Sequence, residues 1–362
     1  MRISKAKIFL VGMALFCAIP AFCCTSVIIS SKASGTGAPV MLKHRDTDSL
    51  DNRLAWFQGE KYNFVGLVNS SLETKEVWTG INSAGFSIMN TATYDLEPEP
   101  LPAYQKDKEG YVMYRALEVC ETLKDFENYL DTIPRPTGCE ANFGVIDAHG
   151  GAAYYEVNST KWVKFDVNQT GSGYMVVTNF SRTGDPSKRK GVDRYEVASD
   201  IMEEIIDAKK ASYIDHYDLI SGISRSGAPI LRKITSASIV IEGVKYGEDP
   251  KNTIMWTALG YPSAVPAFPV IVGEKDCIPK FMKKSTSSSH AEICDKGLQM
   301  KKSTHGIGEP DKLDDLQIII DRRFGSIFDR YKKNLIGDMA FLSAYKNAAN
   351  YFYDYYCTEF FE

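Results

Sequence analysis

The sequence predicts an α+β fold in which antiparallel sheets are covered by helices. Three observations carry this expectation. β-branched and apolar runs come in pairs joined by glycine-containing turns, helical patterns stand between those pairs without strict βαβ alternation, and no glycine-rich phosphate loop follows a strand.

Thr25 to Ile29 and Val40 to Lys43 flank Ser34-Gly35-Thr36-Gly37 and read as a hairpin. A turn centred on residues 34 to 37 sets Cys24 opposite a residue between 45 and 48, a stretch holding Arg45, Asp46 and Asp48. A second strand pair spans Glu76 to Ile81 and Gly85 to Thr93, turned by Asn82-Ser83-Ala84-Gly85. Period-two alternation places Asn90 on one face with Phe86 and Ile88, so its amide is expected to point inward. Residues 110 to 132 read as helix, with Thr122 as N-cap for Leu123 to Leu130 and Pro134 and Pro136 as stops. Asn142 to Asp147 and Ala152 to Val157 form a further hairpin around His149-Gly150-Gly151, and Met175 to Thr178 is a short strand ending at Asn179. Helical spacing returns over Arg194 to Lys209 and His216 to Ile223, the latter capped by Asp215. Strands follow at Ser238 to Ile241, Thr253 to Leu259 and Pro269 to Val272. Residues 275 to 306, rich in Lys and Ser, read as a solvated excursion, and Asp314 to Glu362 as one or two outer helices.

The first 23 residues read as a secretory signal. Arg2, Lys5 and Lys7 form a positive segment, Ile8 to Phe22 an apolar run too short to span a bilayer, and Ala21 and Cys23 are the small residues before a cut. Export to the periplasm or medium follows, with Cys24 as the first residue left and no stable membrane insertion after processing. A lipid anchor on Cys23 or Cys24 is the alternative, although Phe22 is a poor residue directly before Cys23. Losing three basic and no acidic residues takes the net charge from −4 to −7, which argues against nucleic acid as partner. No linker divides residues 24 to 362, so one domain is expected, and a homo-oligomer stays open. No CxxC or HExxH spacing occurs, so neither metal nor cofactor is expected. Cys120 with Cys139, or Cys277 with Cys294, could pair in an exported chain.

An N-terminal cysteine carries its own base. A free thiol has a pKa of about 8.5 and an α-amine one of about 7.7–8.0, so at neutral pH the amine can take the thiol proton and later return it to a leaving amine. Arg45 would favour the thiolate and Asp48 could hold the amine. Asn90 and Asn179, each after an apolar strand, are candidate donors to an oxyanion; as sequence alone, either also fits a turn. Trp56, Phe57 and Tyr104 could line an apolar acyl pocket, though their scatter favours core or surface placement.

Five segments now in view, CTSVIIS at 24, KHRDTD at 43, GINSAGFSIMNTATY at 80, NFGVIDAHGGAAYYE at 142 and VVTN at 176, make the chain resemble the N-terminal-nucleophile linear amide hydrolases. That superfamily includes choloylglycine (bile salt) hydrolases and penicillin acyltransferase-like enzymes. The resemblance implies a four-layer αββα sandwich with Cys24 as nucleophile, Arg45 and Asp48 as its neighbours, and Asn90 and Asn179 as oxyanion donors. Two departures stand out: Asp46 replaces an amide of the family's pattern, and Ile239 follows the Ser-rich strand start where bile salt hydrolases bring a second arginine. The expected activity is hydrolysis of a small N-acyl amide, a linear non-peptide carbon–nitrogen bond, through a Cys24 thioester. Transfer of the acyl group to an amine and a non-catalytic surface lipoprotein are the alternatives.

Overall fold

The computed structural model describes residues 23–71, 75–96, 101–209, 212–273, 275–286 and 289–362. The expected export signal falls on residues 1–22, outside the described residues, apart from Cys23.

The first sheet contains β1 (Thr25–Ile29), β2 (Val40–Asp46), β10 (Tyr174–Val177), β11 (Thr235–Glu242), β12 (Ile254–Leu259) and β13 (Phe268–Val270), in the order β10-β1-β2-β11-β12-β13. The second runs in chain order through β3 (Asn52–Phe57), β4 (Phe64–Asn69), β5 (Thr79–Asn82), β6 (Ser87–Ala92), β7 (Ala141–Ile146), β8 (Ala152–Val157) and β9 (Trp162–Asp166). Neighbouring strands pair antiparallel throughout. Contacts of β1 with β8 and β2 with β7 bring the sheets face to face. Helices α1 (Glu109–Val119) and α2 (Leu123–Thr132) bury Leu117 and Phe126 with Phe86 and Ile88 on the outer side of the second sheet. On the first sheet lie α3 (Val192–Ala208), α4 (His216–Leu219) and α5 (Glu292–Ser303), while α6 (Pro310–Lys332) and α7 (Asp338–Phe361) pack on each other and add Phe324 and Tyr345 to the core. The result is the α+β sandwich, two antiparallel sheets between layers of helix.

Every residue of β1 and β2 is buried, because the first sheet is covered on both faces. That is why TSVII reads as a continuous run and not as an alternation. In the β5–β6 turn, Gly85 takes a φ of +76° that a side chain would strain. Asn82 closes that turn by accepting from the Ala84 and Phe86 amides, and its Nδ2 donates to Leu117 and Cys120 carbonyls at the end of α1. The Thr122–Asp125 capping box then starts α2 at the predicted N-cap.

Three strands escaped the sequence reading. β3 follows the first hairpin, β4 precedes the second strand pair, and β9 is a half-exposed edge strand whose Lys164 and Asp166 blur its pattern. Residues 275 to 306 are not a solvated excursion throughout. α5 buries Ile293, Cys294, Gly297 and Met300 on one face, and its lysines mask the periodicity. Cys120, Cys139, Cys277 and Cys294 are all free and buried, so neither suggested disulfide forms.

His216 shows how the first sheet is tied to its helices. The buried imidazole stacks on Trp256 with centroids 3.6 Å apart, and its nitrogens lie 3.0 Å from Glu242 and 3.0 Å from Asp321. Burial alone would lower its pKa, but hydrogen bonds and charge from Asp321 and Glu242 win and raise it from 6.5 to about 10. A raised pKa stabilises the fold fully below the unfolded value and loses that contribution as pH climbs through the folded one. His216→Gln should therefore cost about 3–5 kcal/mol, with the gap in thermal midpoint from the parent protein widest near pH 6 and shrinking toward pH 10. An equal gap at both pH values would contradict a charged His216.

Candidate active site

Cys24 sits at the start of β1, the strand with β2 on one side and β10 on the other. The ladders Thr25↔His44 and Ser26↔Val177, carried one and two residues further, set Arg45 and Asn179 on either side of Cys24. Its main chain is clamped by Arg194 of α3, which donates to the carbonyls of Cys24 and Cys23 (3.2 Å for the latter) and to Thr25 Oγ1 at 3.1 Å. The same guanidinium donates to Asn179 Oδ1 at 2.6 Å, while Asn179 Nδ2 donates to the Ala92 carbonyl at 2.6 Å. Arg232, just before β11, donates to the Cys23 carbonyl at 2.9 Å and to Asp46 Oδ2 at 2.6 Å.

A cavity of about 330 Å³ opens beside the cysteine, with Cys24, Lys43, Arg45, Asp46, Trp78 and Asn90 on its wall. Arg45 is buried and donates to Asn52 Oδ1 and, at 2.7 Å, to Asn69 Oδ1; its guanidinium also lies over the Trp78 ring at 5.2 Å. Burial lowers its pKa to about 10, partly offset by Cys24, Cys294 and Asp48, so it stays charged near neutrality. Burial likewise pushes Lys43 down to about 7 against the pull of Cys24, with Arg45 adding to the drop. Its ammonium donates to the Trp78 carbonyl and to Asn90 Oδ1, the latter at 2.7 Å. Glu109, also on the cavity wall, is pushed up to about 7 by burial, which its hydrogen bond from the Glu140 amide only partly opposes. Asp46 is pulled below the usual carboxylate range: burial would raise it, but His44, Arg232 and Thr235 prevail. The arrangement sets a thiol among four basic side chains, Lys43, Arg45, Arg194 and Arg232, and a side-chain amide, beside a pocket large enough for a small molecule (roughly 300–1,000 Å³).

Of the residues picked out from sequence, Cys24, Arg45 and Asn90 meet at the cavity. Asn179 is buried outside its lining and is linked to Cys24 through Arg194. Asp48 is exposed, accepts from Thr47 Oγ1 at 3.3 Å and does not line the cavity, whereas its neighbour Asp46 does. Trp56 donates to the Gly273 carbonyl, Phe57 stacks on Phe64, and Tyr104 is exposed, so the cavity's aromatic wall is Trp78 and Tyr94 instead. Sequence reasoning missed Lys43 and Arg194, and gave no role to Asp46 or Arg232. Lys43 had a signal, since alternation puts it on the same side of β2 as Arg45. Arg194 had none, because an arginine at the start of a surface helix reads as solvated.

Asp51, His290 and Asp295 bring potential ligand atoms within 4.8 Å of one another. Both imidazole nitrogens already contact those carboxylates, at 2.7 and 3.1 Å, which is the geometry of an ion-pair triad.

No family model matches the sequence, and no curated protein does. Among solved structures, the chain is similar to a Caenorhabditis elegans N-acylethanolamine-hydrolyzing acid amidase ortholog, at 16% identity over 62% of this chain and 92% of that one, with a TM-score of 0.46. It is also similar to a mutant conjugated bile acid hydrolase from Clostridium perfringens, at 10% identity over 70% and 94%, TM-score 0.47. A third likeness is to penicillin V acylase from Agrobacterium tumefaciens, at 14% identity over 69% and 86%, TM-score 0.44.

Proposed function

We propose that this chain, exported and cut before Cys24, is an N-terminal cysteine amidohydrolase acting on a small N-acyl amide. One observation carries the reading. A free cysteine, whose α-amine a single cut before it would release beside its thiol, stands at a cavity walled by Lys43, Arg45 and Asn90.

The chemistry follows from those neighbours. The α-amine takes the thiol proton, and the sulfur attacks the substrate carbonyl. Nδ2 of Asn90 donates to the resulting oxyanion, since Lys43 occupies Oδ1, whereas Asn179, with its Nδ2 on the Ala92 carbonyl and its Oδ1 on Arg194, supports the guanidinium that holds the Cys24 main chain. The ammonium returns the proton to the leaving nitrogen as the carbon–nitrogen bond breaks, and water then hydrolyses the Cys24 thioester. Arg194 and Arg232 both reach the Cys23 carbonyl, one bond from the Cys24 nitrogen. After the cut they flank the new amine, disfavour its charged form and keep it a base at neutral pH. Asp46, held by Arg232 at the cavity wall, is the carboxylate in place to orient that amine, the role first given to Asp48.

Mass analysis of the exported protein, followed by a panel of N-acyl amino acids, conjugated bile acids and penicillins, tests this. The expected outcome is an unmodified Cys24 terminus and release of amine from one class. A lipid-modified cysteine removes the free amine and would sink the proposal.

A further inference from the structure

One cavity residue enters the mechanism above only as the partner of Asn90 Oδ1. Lys43 is buried on the cavity wall, yet among the described residues no carboxylate pairs with it: its partners are the Trp78 carbonyl and Asn90 Oδ1. A buried lysine without an anion is costly to keep charged. The acids and bases facing it are Cys24, at the head of β1, and Arg45, two residues along β2, and the cavity's remaining charged groups are Asp46, Lys106, Asp107, Glu109 and Glu140. Among the described residues, Cys24 is the acid whose charge pulls the Lys43 pKa upward, and both line the cavity.

An ammonium has three donors and no acceptor. While it is charged, Lys43 can face only the oxygen of the Asn90 amide, which turns the amide nitrogen away from it. Once neutral, it gains a lone pair that could accept from Nδ2, and that constraint is lost. We propose that Lys43 is a positioning residue of the Cys24 site, whose ammonium orients the Asn90 amide and holds positive charge against the cysteine sulfur. This rests on the amidohydrolase reading for its purpose, but not for its measurement. Burial holds the Lys43 pKa at about 7, so both effects are present in mildly acid solution and fade in alkali.

The test is the rate of Cys24 alkylation by iodoacetamide in the processed protein, which needs no substrate. At pH 6 the parent should react about 10-fold faster than Lys43→Met, and at pH 9.5 within about 2-fold of it. Lys43→Arg, charged at both pH values, should keep the parent's rate at pH 6, while at pH 9.5, where an ordinary thiol is already mostly ionised, all three rates should converge. In nitrogen-15 spectra the Asn90 side-chain amide should shift through a step near pH 7 that is absent in Lys43→Met. A parent-to-Met rate ratio that is the same at both pH values, or an Asn90 amide indifferent to pH, would overturn the inference. If neither variant folds, the parent decides alone: the Lys43 Nζ signal must move when Cys24 is alkylated, and a stationary signal refutes the contact. Failure of the amidohydrolase reading looks different, as hydrolysis that persists in Cys24→Ser while the Lys43 effect on the thiol remains.

Discussion

Replacing Cys24 with serine should lower amide hydrolysis by roughly 10³-fold or more, as loss of a nucleophile does in other acyl-transfer enzymes. The thermal midpoint should stay close to that of the parent protein. The reason for the asymmetry is local. Cys24 is buried, but its sulfur makes one long contact, 4.0 Å from the Asp46 carbonyl, and its place is held through its main chain by Arg194. An oxygen in place of sulfur keeps those main-chain bonds, so the fold has little to lose. The chemistry loses a polarisable thiol nucleophile and gains an alcohol that the α-amine cannot deprotonate to a useful extent. Steady-state rates and melting curves on the same samples check this, and turnover near the parent level would remove Cys24 from the mechanism.

Inserting one alanine between Cys23 and Cys24, with mass analysis confirming that alanine is the first residue of the product, should be nearly as damaging. Hydrolysis is expected to fall by about 10²–10⁴-fold, the usual contribution of a general base, while iodoacetamide still alkylates Cys24. The insertion leaves the thiol and converts the amine to a peptide nitrogen with no basicity. It also returns a carbonyl to the spot that Arg194 and Arg232 hold in the uncut chain, where both donate to the Cys23 oxygen. Equal hydrolysis by the extended protein would show that the proton goes elsewhere. Lys43, on the cavity wall with a pKa of about 7, would then be the base to examine.

Much of the fold is legible in short-range signals. The β1–β2 hairpin and its register follow from TSVII, the Gly-containing turn and the returning strand, and the observed Thr25↔His44 pairing puts Arg45 next in line with Cys24. The Thr122 cap and the Gly85 turn are equally local, each needing four or five consecutive residues. Where a segment's pattern depends on what covers it, the sequence was silent. β3 and β9 combine polar residues with partial exposure, and α5 hides four buried positions among lysines.

The site divides along the same line. The chain by itself determined that Cys24 heads a strand and stands opposite the 45–48 stretch, because pairing geometry is counted along the backbone. Only the tertiary structure decided that Asp46 and not Asp48 faces the cavity. The shift between Thr235 and Ala237 in the pairing of β2 with β11 sets Asp46 against Thr235, and Arg232 closes over it. Tertiary structure likewise brought Lys43 to Asn90 and Arg194 to Cys24, contacts separated by 47 and 170 residues. Long side chains reaching between layers leave no periodic trace in sequence, and it is these that give the cysteine its charged surroundings.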